Sequence, residues 1–343
     1  MTGLSFAPPT RGTLCSPLLR VRNLTIEVPG NSGWVPAVEH VSFDVDSGTT
    51  VGLVGESGSG KTLASLAILG LIPMSGGRIA DGTIRFGEIE LTSLNPRAWR
   101  AIRGRRIAMV FQEPMRALNP AFTVGAQVAE VAKVHLGLSR KQAWNRAVDL
   151  LGEVGIPHPK ARAHDRPFAF SGGMAQRVMV AMALAGEPEL LLADEPTTAL
   201  DVTVQADILA LLRRIQVQHG LAMLFVSHDL GVIAGIADSV AVMYAGQIVE
   251  RGPTVDLFER PAPPYTTALL RALPQARRTR RLDQIPGSIP GPGEMPVGCR
   301  FGPRCEHAVS DQCCSTAIAL RRSEDGRESR CARVDELCRG FLS

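Results

Sequence analysis

Lysine is almost absent from this 343-residue chain: Lys61, Lys133, Lys141 and Lys160 are the only four, and arginine supplies every other positive side chain. Lys and Arg together number 37 against 33 Asp and Glu, a net charge of +4. So small an excess, without a clustered patch, gives no argument for nucleic-acid binding. Long apolar runs are also missing. Nothing approaches the roughly 18 to 20 apolar residues of a membrane helix, so the chain is not expected to span a bilayer. Met1 to Leu19 carries one Arg among scattered Pro, Gly and Ser. It lacks a basic start followed by an apolar core, so no signal peptide and a cytoplasmic location are expected. Cysteine is scarce until the end: Cys15 stands alone, then Cys299, Cys305, Cys313, Cys314, Cys331 and Cys338 crowd the last 45 residues. Without an export signal, that crowding favours metal over disulfides.

What is present reads as a folded chain. Hydrophobic residues make up 45% and charged residues 20%, which excludes wholesale disorder. The length suggests about two domains, or one large domain with an appendage. Leu24 to Val28, Val41 to Val45, Thr50 to Val54, Ile84 to Leu91 and Arg106 to Phe111 read as strands. From about Pro120 to Phe170 the pattern is helical, with Ala126 to His135 and Arg140 to Val154 clearest. Strands and helices then alternate: Leu190 to Ala193, helix Val202 to Gln218, Ala222 to Val226, helix Leu230 to Ile236, Ser239 to Met243. This predicts an α/β fold with a mainly parallel sheet, helices on both faces and a helical insertion. Pro274 to Pro296 reads as a linker, and the arginine-rich stretch Arg271 to Arg281 as solvated chain.

Gly55-Glu56-Ser57-Gly58-Ser59-Gly60-Lys61-Thr62 follows a strand and opens a helix, the context a phosphate-binding loop requires. Glycines let backbone amides curl round an anion, and the helix adds its positive end. Lys61 brings a point charge to the β and γ phosphates, and the Thr62 hydroxyl suits Mg²⁺. Leu190 to Ala193 runs into Asp194 and Glu195 at a strand end, where open α/β sheets bind ligands. Asp194 suits the Mg²⁺, and Glu195 suits polarising an attacking water.

Phe170-Ser171-Gly172-Gly173-Met174-Ala175-Gln176 resembles the signature motif of ABC ATPases. Four further motifs of that family stand in the same order. Gln112 in Val110 to Pro114 resembles the Q-loop glutamine, which also reaches Mg²⁺. Asp194-Glu195 takes the acidic strand end, Ala199-Leu200-Asp201 resembles the D-loop, and His228 in Ser227-His228-Asp229 resembles the switch histidine. The resemblance implies an ABC-type fold with an antiparallel β subdomain. It also implies a head-to-tail pair of ATPase subunits, in which Ser171 and the amides of Gly172 and Gly173 meet a γ phosphate across the interface, with Gln176 and Asp201 nearby. Trp34 is the only aromatic in the loop where the family stacks adenine.

The tail narrows the resemblance. Pro263 to Pro274, Ile285 to Pro290 and Pro296 to Cys305 are similar to the C-terminal extension of oligopeptide and dipeptide importer ATPases. Residues 18–260 are then expected to form the ATPase, with a helical subdomain at about 113–171, and 261–343 the extension. Four thiols from a loop-rich segment suit either zinc or an iron–sulfur cluster. The resemblance favours a 4Fe-4S cluster on Cys299, Cys305, Cys313 and Cys331, with zinc as the alternative. The spacing departs from the family pattern. Seven residues separate Cys305 from Cys313 where six are expected, and the tandem Cys314 is a reserve ligand. Cys338 is expected to be spare and Cys15 an inert thiol. The implied partners are a second, distinct ATPase, two transmembrane permeases and, indirectly, an extracytoplasmic binding protein, at the inner face of the membrane. The rival readings are a soluble ABC ATPase and a cluster-sensing regulator.

Overall fold

The computed structural model describes residues 16–31, 33–198, 200–273, 285–291, 293–323 and 326–340. Cys15, Ala199, most of the arginine-rich stretch and the side chain of Cys338 lie outside the described residues.

Two sheets organise the chain. β1 (Leu19–Gly30), β2 (Gly33–Val45), β4 (Arg78–Phe86) and β5 (Ile89–Glu90) form an antiparallel sheet in the order β2-β1-β4-β5. Leu19, Val21, Leu24 and Ile26 point inward between partly exposed residues, the alternation of a sheet buried on one face. The strand read as Leu24 to Val28 is longer at both ends: the chain runs extended from Leu19 to Gly30 and returns at Gly33, closing a hairpin tip.

The second sheet holds the parallel core. β9 (Ser239–Tyr244), β3 (Thr50–Val54), β8 (Ala222–Ser227), β7 (Leu190–Asp194) and β6 (Ile107–Val110) lie side by side and parallel. Every residue of β3, β7 and β8 is buried, as unbroken apolar runs in a two-sided parallel sheet must be. β10 (Gln247–Pro253), not anticipated from the sequence, adds antiparallel to β9. The expected α/β architecture and antiparallel β subdomain are both present.

The helical insertion is built from Val124–Leu136 and Arg140–Glu153. Thr123 caps the first, and Ser139 with Gln142 forms a capping box on the second. Val128 and Ala132 of one, and Ala147, Leu150 and Leu151 of the other, share a core with Val178 and Met179 of helix Gly172–Leu184. Among the described residues no helix is long and apolar enough to cross a membrane.

The tail is welded to the central sheet, not appended to it. β12 (Glu328–Ser329) pairs with β10, and β11 (Arg321–Arg322) pairs with β12, so the tail extends the central sheet. Phe301, 5% exposed, sits edge-on to Tyr244 at 5.3 Å and tilted against Tyr265 at 5.2 Å. Arg300 reaches Glu39 and the Ala245 carbonyl, and Arg330 donates to the Ile248 and Ile318 carbonyls. We expect Phe301→Ala to cost about 3 to 5 kcal/mol in urea unfolding, as buried aromatic truncations do. The same variant should expose the tail to limited proteolysis before the rest of the chain.

Candidate functional site

The loop after β3 turns because its glycines allow it. Gly60, which opens helix Lys61–Ile68, has φ +98°, and a Cβ there would stand 2.9 Å from Val38 Cγ2. A Cβ on Gly55 would stand 2.1 Å from the Met243 carbonyl oxygen. Only glycine lets the loop pass so close to β9. Lys61 is 5% exposed and donates to the carbonyls of Gly55 (2.7 Å) and Glu56 (2.9 Å). Burial holds its ammonium below the ordinary value near 10.5, while Glu195, Asp194 and Glu56 oppose that shift.

The acidic strand end stands across the cleft. Thr62 Oγ1 donates to Asp194 Oδ1 at 3.3 Å, so the two residues expected at Mg²⁺ already touch. Burial pushes the Asp194 carboxyl above its ordinary value near 3.8, against the Thr62 hydrogen bond. Glu195 adopts φ +47°, a left-handed conformation costing on the order of 1 to 3 kcal/mol in a non-glycine residue. Its amide donates to the Val226 carbonyl (2.9 Å), which holds the turn. The turn aims the carboxylate at three partners that meet on one atom. Gln112 Nε2 (3.3 Å), Thr198 Oγ1 (2.9 Å) and His228 Nδ1 (3.2 Å) all approach Glu195 Oε2. Residues from four separate segments thus converge on a cleft of about 370 Å³ lined by Ser57, Gly58, Gly60, Lys61, Thr62, Gln112 and Glu195.

Other expected residues stand elsewhere. Ser171 and Gly172 are exposed at the start of helix Gly172–Leu184 and do not line the cleft; Gly173 stands beside them, half-buried against Val204. Ser171 Oγ accepts from the Met174 amide at 3.4 Å and keeps its own proton to donate. Asp201 caps helix Val202–His219. Gln176 is 1% exposed inside its helix and does not line the cleft of its own subunit. Trp34 stands outside the cleft lining at the hairpin tip, its ring 4.5 Å from the Arg78 guanidinium.

Sequence reasoning missed Tyr265 and Arg304. The Glu56 amide donates to the Tyr265 hydroxyl at 3.1 Å, and Arg304 grips the Glu56 carboxylate with contacts of 3.1 Å. Glu56 is the second residue of the phosphate loop, so the tail reaches the site. No local signal revealed this, because 248 residues separate the pair.

The cysteines need a correction. Cys299, Cys305, Cys313 and Cys331 do line one apolar cavity, whereas Cys314 is exposed and outside it. The cavity measures about 30 Å³, room for about two water molecules and less than a four-iron cluster occupies. Among the described residues no group of three His, Cys, Asp or Glu has the geometry to hold a metal ion. The donor set fits soft metal chemistry, but the spacing fits no single zinc ion. Burial pushes the thiols of Cys299 and Cys305 up, and Cys331 up to about 11. A metal-stapled tail is therefore not shown; arginine contacts and aromatic packing hold the tail instead.

Two predictions follow from this geometry. Because Asp194 binds its proton more tightly folded than unfolded, stability falls as pH rises from its unfolded toward its folded value. Asp194→Asn should therefore stabilise the nucleotide-free protein at pH 7, read by thermal unfolding, while abolishing the Mg²⁺ dependence of nucleotide binding. In wild type, protons should compete with Mg²⁺ at a pH above the ordinary aspartate range. Secondly, a double-mutant cycle of Glu56→Gln and Arg304→Met should give a coupling of about 1 to 3 kcal/mol in unfolding.

Residues 38–198 match the family model described as ABC transporter, and residues 249–313 the one described as oligopeptide/dipeptide transporter, C-terminal region. The chain is 46% identical over 92% of its length, and 96% of the relative's, to the dipeptide transport ATP-binding protein DppD of Escherichia coli (strain K12). It is 45% identical over 94% of its length, and 98% of the relative's, to the oligopeptide transport ATP-binding protein AppD of Bacillus subtilis (strain 168). Among solved structures, the ATP-binding cassette MJ0796 bound to ADP and phosphate superposes with a TM-score of 0.59 at 25% identity, over 69% of this chain and 98% of that one. The cbiO1 protein of Clostridium perfringens, part of the cbiONQ ABC transporter complex, gives 0.61 at 25% identity, over 71% and 91%. The chain belongs to the ABC transporter family of ATP-binding proteins.

Proposed function

We propose that this chain is the ATP-hydrolysing subunit that energises import of dipeptides or oligopeptides through a membrane permease. One observation carries the catalytic part: Gln112, Thr198 and His228 all meet Glu195 Oε2 beside the Thr62–Asp194 pair. Gly55 to Thr62 cradle the phosphates, Lys61 answers their charge, and Thr62, Asp194 and Gln112 hold Mg²⁺, which would neutralise phosphate charge when bound. Glu195 accepts a proton from the attacking water, and His228 holds that carboxylate and reports the γ phosphate. The transport reading draws on relatives that match nearly the whole chain and are named for peptide transport. Those relatives favour it over a soluble ATPase or a cluster-sensing regulator.

In this reading residues 18–260 form the ATPase and 261–343 the extension. Two ATPase subunits pair head to tail, the second a distinct chain. Ser171, Gly172 and Gly173, with Asp201 nearby, then complete the partner's site, which fits the outward placement of Ser171 and Gly172. The permeases dock on the helical subdomain beside Gln112, where Phe111, Met115 and Phe122 are exposed. That contact holds the subunit at the cytoplasmic face of the membrane and lets Gln112 couple γ-phosphate loss to permease movement. An extracytoplasmic binding protein would deliver the peptide. A 4Fe-4S cluster on Cys299, Cys305, Cys313 and Cys331 draws on their soft donor set; the shared cavity would have to open beyond its present volume to take it, and the cluster would then act as a structural staple.

Glu195→Gln should lower kcat for phosphate release by about 10² or more while leaving ATP affinity within a few-fold. Turnover near the wild-type rate would refute the base assignment. Anaerobically purified protein should carry about four irons with matching sulfide per chain. Cys299→Ser with Cys305→Ser should lose both. Stoichiometric zinc, or no metal, would reject the cluster.

A further inference from the structure

The nucleotide cleft is lined by two kinds of residue. Ser57, Lys61, Thr62, Gln112 and Glu195 suit phosphates and a metal ion. Apolar residues make up the rest of the lining, and two of them, Pro290 and Met295, come from the C-terminal segment. Val28 and Ala37 of the β1–β2 hairpin line the same cleft. The only aromatic of that hairpin tip, Trp34, is turned to Arg78 and lines no part of the cleft.

We propose that Met295 and Pro290, with Val28 and Ala37, form the subsite that receives the adenine ring, so that the C-terminal extension completes the nucleotide site of its own subunit. The proposal rests on reading the phosphate loop as an ATP site and names the residues that bind the base.

Three contacts place the segment there. Arg304 donates through Nε to the Pro286 carbonyl (2.7 Å) and through Nη2 to the Ile285 carbonyl (3.3 Å). The same guanidinium holds the Glu56 carboxylate, so one side chain ties the segment's start to the phosphate loop. Arg304 is itself sandwiched near Tyr244 and Phe301, its side chain 5% exposed, which leaves it little freedom to release either partner. Farther along, Gly293 lies against the hairpin: a Cβ there would meet Val35 Cγ1 at 3.6 Å. Ile289 and Met295 pack on the same core that contains Tyr265 and Phe301. The chemistry suits a purine. An adenine ring is a flat, polarizable surface, a thioether makes favourable contact with aromatic faces, and burial against Val, Ala and Pro removes apolar area from water. Among the described residues nothing on this wall supplies a hydrogen-bond pattern that reads the base edge, so the subsite should discriminate weakly between purines.

The test separates base from phosphate. Full-length wild type, Met295→Asp, Met295→Leu and Trp34→Ala would be titrated with MgATP and with magnesium tripolyphosphate, which carries the phosphates without a base. The expected result is a fivefold or greater loss of MgATP affinity in Met295→Asp, with tripolyphosphate affinity unchanged. Met295→Leu should remain within twofold for both ligands, and Trp34→Ala should match wild type. A selective loss of MgATP affinity in Trp34→Ala, with Met295→Asp unaffected, would overturn the proposal. Equal loss of both ligands in Met295→Asp would also overturn it, since the residue would then support the loop and not the base. Lys61→Ala keeps the two readings distinct: if wild type binds neither ligand, or Lys61→Ala binds both normally, the ATP site itself is wrong.

Discussion

Burial of Thr50 to Val54 on both faces of the central sheet constrains everything at the site. With β8 on one side and β9 on the other, this strand cannot shift by a residue without breaking two ladders. Its end therefore fixes where the phosphate loop leaves the sheet. Met243 on β9 leaves room only for a glycine at Gly55. β7, parallel to β8 and one strand further from β3, ends at the same edge, which brings Asp194 to the Thr62 hydroxyl and Glu195 into the cleft lining. A parallel sheet gathers the C-terminal ends of its strands on one edge, and that is why residues distant in sequence share a site.

Glu195 is where the sheet's order becomes chemistry. Its left-handed backbone is tolerated because a Val226 hydrogen bond and the Thr198 turn over-determine it. Gln112 and His228, from loops on either side, meet the same carboxylate oxygen. A single oxygen shared by a glutamine and a histidine joins the loop after β6, where the helical insertion begins, to the end of β7. Ser171 and Gly172 share no such contact and are exposed.

The tail changes character once it is seen in place. Its composition reads as loop held by metal, yet Phe301 packs into an aromatic cluster, Arg300 and Arg330 seek carbonyls of the core, and Arg304 holds the phosphate loop by Glu56. The four cysteines are neighbours within that packed body, not its evident organiser. Arginine, so abundant here, serves as the staple because its planar fork satisfies several acceptors from one side chain.

The ATPase core was legible because its signals are local. An apolar run ending in Asp194-Glu195 and a glycine loop ending in Lys61-Thr62 carry their chemistry within a few residues, and strand and helix periods placed both correctly. The reach of β1 to Gly30 and of β2 from Gly33, and the presence of β10, were not legible, because edge pairing and not propensity decides them. Tyr265, Arg304, Met295 and Pro290 stayed hidden for a related reason: each acts on the site from beyond residue 260. Packing, not residue type, placed Trp34 against Arg78 and buried Gln176 inside its helix. The sequence by itself determined which residue types stand at the glycine loop and at the acidic strand end, since backbone turns and carboxylates at strand ends need no distant partner. Only the tertiary structure decided how the site is enclosed, because loop closure over some two hundred residues depends on which buried surfaces fit, and no short pattern records that.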